Sequence, residues 1–331
     1  MILPGSHIET AQVVVNCYDF FDRVFPESGL LDLTEGMYCG DPSIPYEQAQ
    51  KNQINWLLDE VACAKGSRIL DIGCGNGTLI EAAQQRGAEA VGITISPAQV
   101  HRCRQQGLDA RLLNYRDIDG KWTAYFDAII ANGSVEHFVQ PADVIGGKAD
   151  AIYRELFQIC HRVMNPASPV RRFVTTTIHR HATSPRIASK DLLKGPLAFR
   201  WGSDKFHYAL TQKGFGGFYP AEGQLKHCAE PYFRLLQEVD GTHDYHLTSE
   251  ECFRHVKHSL FRWTTGPYIW RRLFSFIMSH PRQGALLCLC LFIAESWQWQ
   301  FRGTPPPTKL LRQTWQFQTI KSEVETLNSG G

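Results

Sequence analysis

Asp71, Gly73, Gly75 and Gly77 stand within ten residues, Arg68-Ile-Leu-Asp-Ile-Gly-Cys-Gly-Asn-Gly77, whose spacing points to the binding of a small ligand. Glycines that follow an apolar run tolerate positive φ and let backbone approach a ligand closely. Asp71, just before them, can order the turn or accept from a cationic group. A second reactive pair, Glu136 and His137, follows another apolar run. Such a carboxyl and imidazole can hold or move a proton; as purely structural groups, Glu136 would cap a helix and His137 would be a satisfied buried ring. Cys39 reads equally as a ligand-facing thiol or a small core hydrophobe.

The elements that position these groups follow from periodicity. Ile69, Leu70 and Ile72 read as a short buried strand, with a helix starting at Thr78. Upstream, Ile54, Leu57, Leu58 and Val61 predict a helix over 46–64. Downstream, strands are expected at 90–93, 109–113, 126–131 and 172–178, with helices over 97–106 and about 149–164. This alternation predicts an α/β fold, a doubly wound and mostly parallel sheet that binds its ligand at the carboxyl ends of the strands. The rhythm stops near residue 180, and a strand pattern returns at Phe233–Val239. From Ser249 the chain reads as helical, and its aromatic residues, Trp263, Trp270 and Phe274 among them, are expected in a core. The Gly303–Thr308 proline run is expected to precede one last helix. Four parts result: an N-terminal helical segment covering the ligand (1–64), an α/β core (65–180), a lid or insertion with return strands (181–248) and a helical, aromatic-rich acceptor region (249–331).

Composition narrows the partners. A net charge of +1 over 331 residues gives no global field for nucleic acid, and none is expected as a partner. Residues 170–213 carry nine Lys/Arg against two acidic residues, which suits a solvated lid, a phosphate-bearing substrate or an anionic membrane. The ten cysteines form no C-x-x-C pair, so no metal is expected, and reduced thiols point to the cytoplasm. No basic n-region precedes Glu9, and no signal peptide is expected. The apolar run 285–294 has about half the length of a membrane span and is expected as a buried helix. Peripheral contact at the inner membrane face stays open, and nothing fixes the oligomeric state.

A series of ordered matches resembles the cyclopropane fatty acid synthase family, which includes mycolic acid cyclopropane synthases and a branch of plant amine N-methyltransferases. The glycine loop resembles motif I of class I S-adenosylmethionine methyltransferases. Its third glycine follows the second by two residues, not by the three of a G-x-G-x-x-G dinucleotide loop. Met37-Tyr38-Cys39 resembles the family's Tyr-Ser-Cys with the tyrosine one place nearer the cysteine, and Glu47-Gln48-Ala49-Gln50 matches Glu-x-Ala-Gln. Val91–Ser96 with Gln99, Asn114–Ile118, Ser134–Phe138, Tyr219-Pro220 and Asp244-Tyr245-x-x-Thr248 continue the series over roughly residues 15–318.

The resemblance implies a seven-stranded sheet with S-adenosylmethionine as cofactor. It places Tyr38, Asp71, Gly73, Gly75, Asn76, Gly77, Thr94, Ile95, Gln99, Tyr115 and Arg116 around that cofactor. Thr94 and Ser96 read independently as helix caps. On the reacting side it implies a bound bicarbonate as base, held by Cys39, Glu136, Ile178 and Tyr245, with His137 adjacent. The family's histidine position is held here by Thr176. A threonine donates a hydrogen bond but carries no charge, so it would hold bicarbonate less tightly unless His179 or His181 compensates. Two enzymatic functions follow: S-adenosylmethionine-dependent C-methylation of an unsaturated, lipid-like acyl acceptor through a carbocation, by cyclopropanation or branching, or methylation of an amine or other small molecule. A binding protein without catalysis is the third reading.

Overall fold

The computed structural model describes residues 11–25, 32–188 and 191–320; the start of the chain, on which the signal-peptide expectation rests, lies outside them. Seven strands form one sheet in the order β3-β2-β1-β4-β5-β7-β6. These are β1 (Arg68–Ile72), β2 (Glu89–Thr94), β3 (Ala110–Leu112), β4 (Ala128–Asn132), β5 (Arg172–Arg180), β6 (Phe233–Asp240) and β7 (Thr308–Phe317). The first five run parallel, with Leu70 opposite Val91 on one side and Ile129 on the other. β7 is antiparallel to both β5 and β6. Strand order reverses between β1 and β4, which opens a crevice at their carboxyl ends.

The helices are α1 (Gln12–Val24), α2 (Tyr46–Glu60), α3 (Thr78–Gln85), α4 (Pro97–Gln105), α5 (Pro141–Ile145) and α6 (Ala149–Val163). They continue as α7 (Asp204–Phe215), α8 (Gln224–Ala229), α9 (Thr242–Phe261), α10 (Gly266–Ser279), α11 (Pro281–Cys288) and α12 (Ser296–Trp299). One face of the sheet packs Ile69 and Val174 against Leu57 and Leu58 of α2 and Ile80 of α3. The other packs Ile129, Phe173 and Trp315 against Leu156, Phe157 and Val163 of α6. Both faces of the central strands are therefore apolar, as a covered parallel sheet requires. α1 lies across the crevice and packs on α4, α7, α10 and α11.

Four expectations are corrected. The expected last helix is β7, a strand inside the sheet. Its Arg312, Gln313 and Thr314 are all buried, so no polar alternation marks a solvent face. The first predicted helix stops at Glu60, and Ala62 follows in the left-handed region with φ 47°. The run 285–294 is not wholly buried: Leu287, Cys290 and Leu291 face inward while Ile293 is exposed. The C-terminal aromatics are not all core either, since Trp263, Trp270 and Phe274 lie exposed. No helix among the described residues is long and apolar enough to cross a membrane.

Candidate active site

The carboxyl ends of β1, β2, β4 and β5 open into a cavity of about 470 Å³ that α1, Tyr245 of α9, Tyr219 and Trp297 close from the far side. Its first half is built on the glycine loop. Gly73 takes φ +86°, and a Cβ there would stand 2.5 Å from that of Ser134, so only glycine lets the two loops meet. Ser134 in turn donates to Ile72 O at 2.7 Å and opens the turn that carries Glu136. Gly75 (φ +53°) faces open space, with nothing within 4 Å of a Cβ added there. Asp71 lines the cavity, and burial pushes its carboxyl up to about 7. Asn76 Nδ2 donates to Asp22 of α1, while its Oδ1 accepts from Arg102, which also pairs with Asp22 at 3.0 Å. α1 is thereby latched to the loop.

Thr94, Ile95, Gln99 and Tyr115 line the same half, and Thr94 Oγ1 donates to Gln99 Oε1 at 2.6 Å. Ser96 is the residue that caps α4, accepting from Gln99 N. Tyr115 stacks on Phe138 with centroids 4.4 Å apart. Arg116 reaches the wall but gives its guanidinium to Glu155 at 2.9 Å.

The second half contains Glu136, His137, Ile178 and Tyr245. Glu136 Oε2 is buried without a partner, and burial, with Glu35 adding to it, pushes this carboxyl up to about 8. His137 is pushed down to about 4 by burial, so the ring is neutral. Tyr245 lies against Phe301 and Trp297. Burial raises its hydroxyl well above the ordinary tyrosine value, and the nearby Glu35 and Glu136 add to the rise.

Other residues suggested by the resemblance lie elsewhere. Cys39 is exposed on a turn, and Tyr38 is buried with its backbone N donating to Asp244; neither lines the cavity. Thr176 is fully buried, donating to Asn132 Oδ1 at 2.6 Å and accepting from Gly133 N, and is also absent from the wall. His179 turns to Thr177 O and His181 to Pro306 O, so neither takes the missing histidine's place. What sequence reasoning missed is Glu35, a buried carboxyl on the cavity wall, together with Tyr18, Asn132 and Trp297. Glu35 stands four residues before Cys39, on the segment that leads into α2.

These surroundings discriminate between two ligands. A sulfonium cofactor fits: Gly75 offers a cradle, the carboxyls of Asp71, Glu35 and Glu136 line the cavity, and Glu136 Oε2 is buried without a partner among the described residues. Bicarbonate does not fit. Arg312 is spent on Gln53, Asp244 and Gly36, His137 is neutral, Cys39 and Thr176 lie off the wall, and a carboxylate at Glu35 would repel an anion.

Comparison with known proteins agrees with this geometry. Ubiquinone biosynthesis O-methyltransferase of Pseudomonas aeruginosa is 32% identical over 143 residues, 41% of this chain and 55% of the relative. The chain thus spans about half the length of the curated relatives it matches. The cyclopropane synthase MmaA2 from Mycobacterium tuberculosis superposes with TM-score 0.66 at 17% identity, covering 93% of this chain and 98% of that one. The mycolic acid cyclopropane synthase CmaA1, complexed with SAH and CTAB, gives 0.64 at 18% identity, covering 94% and 98%. At these identities the two structures show the shared fold alone. The family profile described as mycolic acid cyclopropane synthetase matches residues 6–255. That match runs through α1, the glycine loop and most of α9, and so spans both halves of the cavity; the chain belongs to the mycolic acid cyclopropane synthetase family of S-adenosylmethionine-dependent methyltransferases.

Proposed function

We propose that this enzyme methylates a carbon of an unsaturated, lipid-like acyl acceptor. The observation that carries the reading is the acceptor half of the cavity, walled by Phe21, Phe215, Tyr219, Tyr245 and Trp297. S-adenosylmethionine, when bound, supplies an electrophilic methyl group. An alkene attacks it without first losing a proton, so the protein's work is to align, exclude water and tolerate positive charge. The aromatic faces suit that charge. Asp71, the glycine loop, Thr94, Ile95, Gln99 and Tyr115 would hold the cofactor, and the C-terminal region would add Trp297 and Gln300 to the acceptor wall. Labelled cofactor offered with unsaturated acyl lipids tests the reading. An amine acceptor is the second reading, because the carboxyls of Glu35 and Glu136 would also hold an ammonium.

The acceptor is met, on this proposal, at an anionic lipid surface. Phe261 and Trp263, 78% and 94% exposed, precede α10, along which Trp270, Phe274 and Met278 form an exposed row, with Tyr268 also exposed on this helix. Between Glu251 and Glu295 the chain has no acidic residue but carries Arg254, Lys257, Arg262, Arg271, Arg272 and Arg282. Aromatic side chains settle at the bilayer interface, and each basic residue near anionic headgroups contributes about 1 kcal/mol. α10 packs on α1, whose inner face walls the cavity, which brings this surface close to the site.

A further inference from the structure

We propose that Glu35 is the proton acceptor of the reaction, a carboxylate built into the cavity wall in place of a diffusible base. The inference rests on the carbon-methylation reading above. Glu35 is 3% exposed and lines the cavity together with Glu136, Ile178 and Tyr245. Its Oε1 accepts from Gln53 Nε2 at 2.8 Å, and Gln53 Oε1 accepts from Arg312 Nε at 2.7 Å. Arg312 is itself 1% exposed and donates on to Asp244 Oδ2 and Gly36 O. A buried guanidinium thus stands one amide away from Glu35: near enough to favour its ionised form, too far to occupy its oxygens as a direct ion pair would.

Among the described residues no guanidinium supports Glu136, whose charged form is favoured only by the backbone N–H groups of Glu136 and Ile178. Burial leaves both carboxyls above the ordinary value, but at Glu35 Arg312, with Thr176 and Asn132, pulls part of the rise back, whereas Glu35 pushes Glu136 further up. Two carboxyls in one cavity whose surroundings drive them apart divide into a proton holder and a base. Here Glu136 keeps its proton and Glu35 is the base. The groups that face Glu35 are Gln53 of α2, Asn132 of β4, Thr176 of β5, Glu136, Tyr245 of α9 and Arg312 of β7.

The step balances. The π electrons of the acceptor form the new C–C bond as the C–S bond breaks, and the pair of that bond stays on sulfur. Positive charge is left on the neighbouring carbon. Glu35 then removes a proton from the added methyl or an adjacent carbon, and the C–H electron pair closes a ring or forms a double bond. The cofactor's positive charge ends as a proton on Glu35, released afterwards to water.

The test compares wild type, Glu35→Gln and Glu35→Ala with labelled S-adenosylmethionine and vesicles of dioleoyl phosphatidylglycerol, in buffer purged of carbon dioxide and again with bicarbonate or formate. Wild type should be indifferent to added bicarbonate. Both variants should bind S-adenosylhomocysteine normally yet lose about 10²–10⁴-fold in turnover to hydrocarbon product. Their residual product should carry methyl plus hydroxyl, the cation having been trapped by water, and formate should partly restore Glu35→Ala. Variants within about threefold of wild type, or a wild type that requires bicarbonate, overturn the inference alone. Loss of S-adenosylhomocysteine binding in both variants makes Glu35 structural and overturns it too. A wild type that labels no lipid overturns the carbon-methylation reading, and this inference with it.

Discussion

The hydroxyl of Tyr18 lies 2.9 Å from Nε2 of His137, and this contact ties α1 to the turn that carries Glu136. Nδ1 of the same ring meets Gly216 O at 3.0 Å, so the neutral imidazole donates there and accepts from Tyr18. His137 is a clasp that holds two walls of the cavity together, not a shuttle for protons.

Tyr18→Phe removes the donor and leaves Nε2 buried without a partner. Such a loss costs about 1–3 kcal/mol. We expect a lower melting temperature and weaker binding of S-adenosylhomocysteine by calorimetry. If neither moves, the Asp22–Arg102–Asn76 latch and the packing of α1 on its neighbouring helices hold it over the cavity without the Tyr18 contact.

The two raised or lowered groups of the turn act on stability in opposite pH windows. Glu136 is raised from 4.5 to about 8, so its contribution is complete below 4.5 and is lost as pH rises towards 8. His137 is lowered from 6.5 to about 4, so its contribution is complete above 6.5 and is lost as pH falls towards 4. Glu136→Gln should therefore melt above wild type by a margin that widens from about pH 5 to about pH 8. A margin independent of pH would show that Glu136 is ionised in the folded protein throughout.

Gly75→Val places a branched side chain at φ +53° in the open cradle of the cleft. No protein atom lies within 4 Å of the added Cβ, but a β-branched residue is strained at this positive φ, so the melting temperature should fall while the far-UV spectrum stays that of the folded protein, and affinity for S-adenosylhomocysteine should fall beyond detection by titration calorimetry. Unaltered affinity would remove the glycine loop from the cofactor site.

How much of this was legible in the sequence depends on range. The glycine loop and the runs that became β1, β2 and β5 are local patterns, and they were read close to their observed bounds. β7 was not, because Arg312 and Thr314 find partners on α2 and Gln313 on β6, and these buried polar residues hide the period of two. The aromatic row near α10 could be counted but not oriented, since composition does not tell which face of a helix meets solvent. Glu35 was invisible for a different reason. Its surroundings come from Gln53, 18 residues away, and from Arg312, a further 259 residues along.

The exposed row also makes a prediction. Wild-type protein should float with vesicles rich in phosphatidylglycerol and remain behind with phosphatidylcholine alone. Trp263→Ala with Phe274→Ala should lose most of that binding while keeping affinity for S-adenosylhomocysteine. Equal binding to both vesicle types would mean that the basic residues of this face do not meet lipid.

The most direct test is mass spectrometry of acyl chains after purified enzyme is incubated with methyl-labelled S-adenosylmethionine and vesicles of unsaturated phospholipid. Labelled acyl chains heavier by one CH₂ are expected, from wild type and not from Gly75→Val. Label absent from every acyl chain but present on an added amine would contradict carbon methylation and assign the cavity to a small-molecule acceptor.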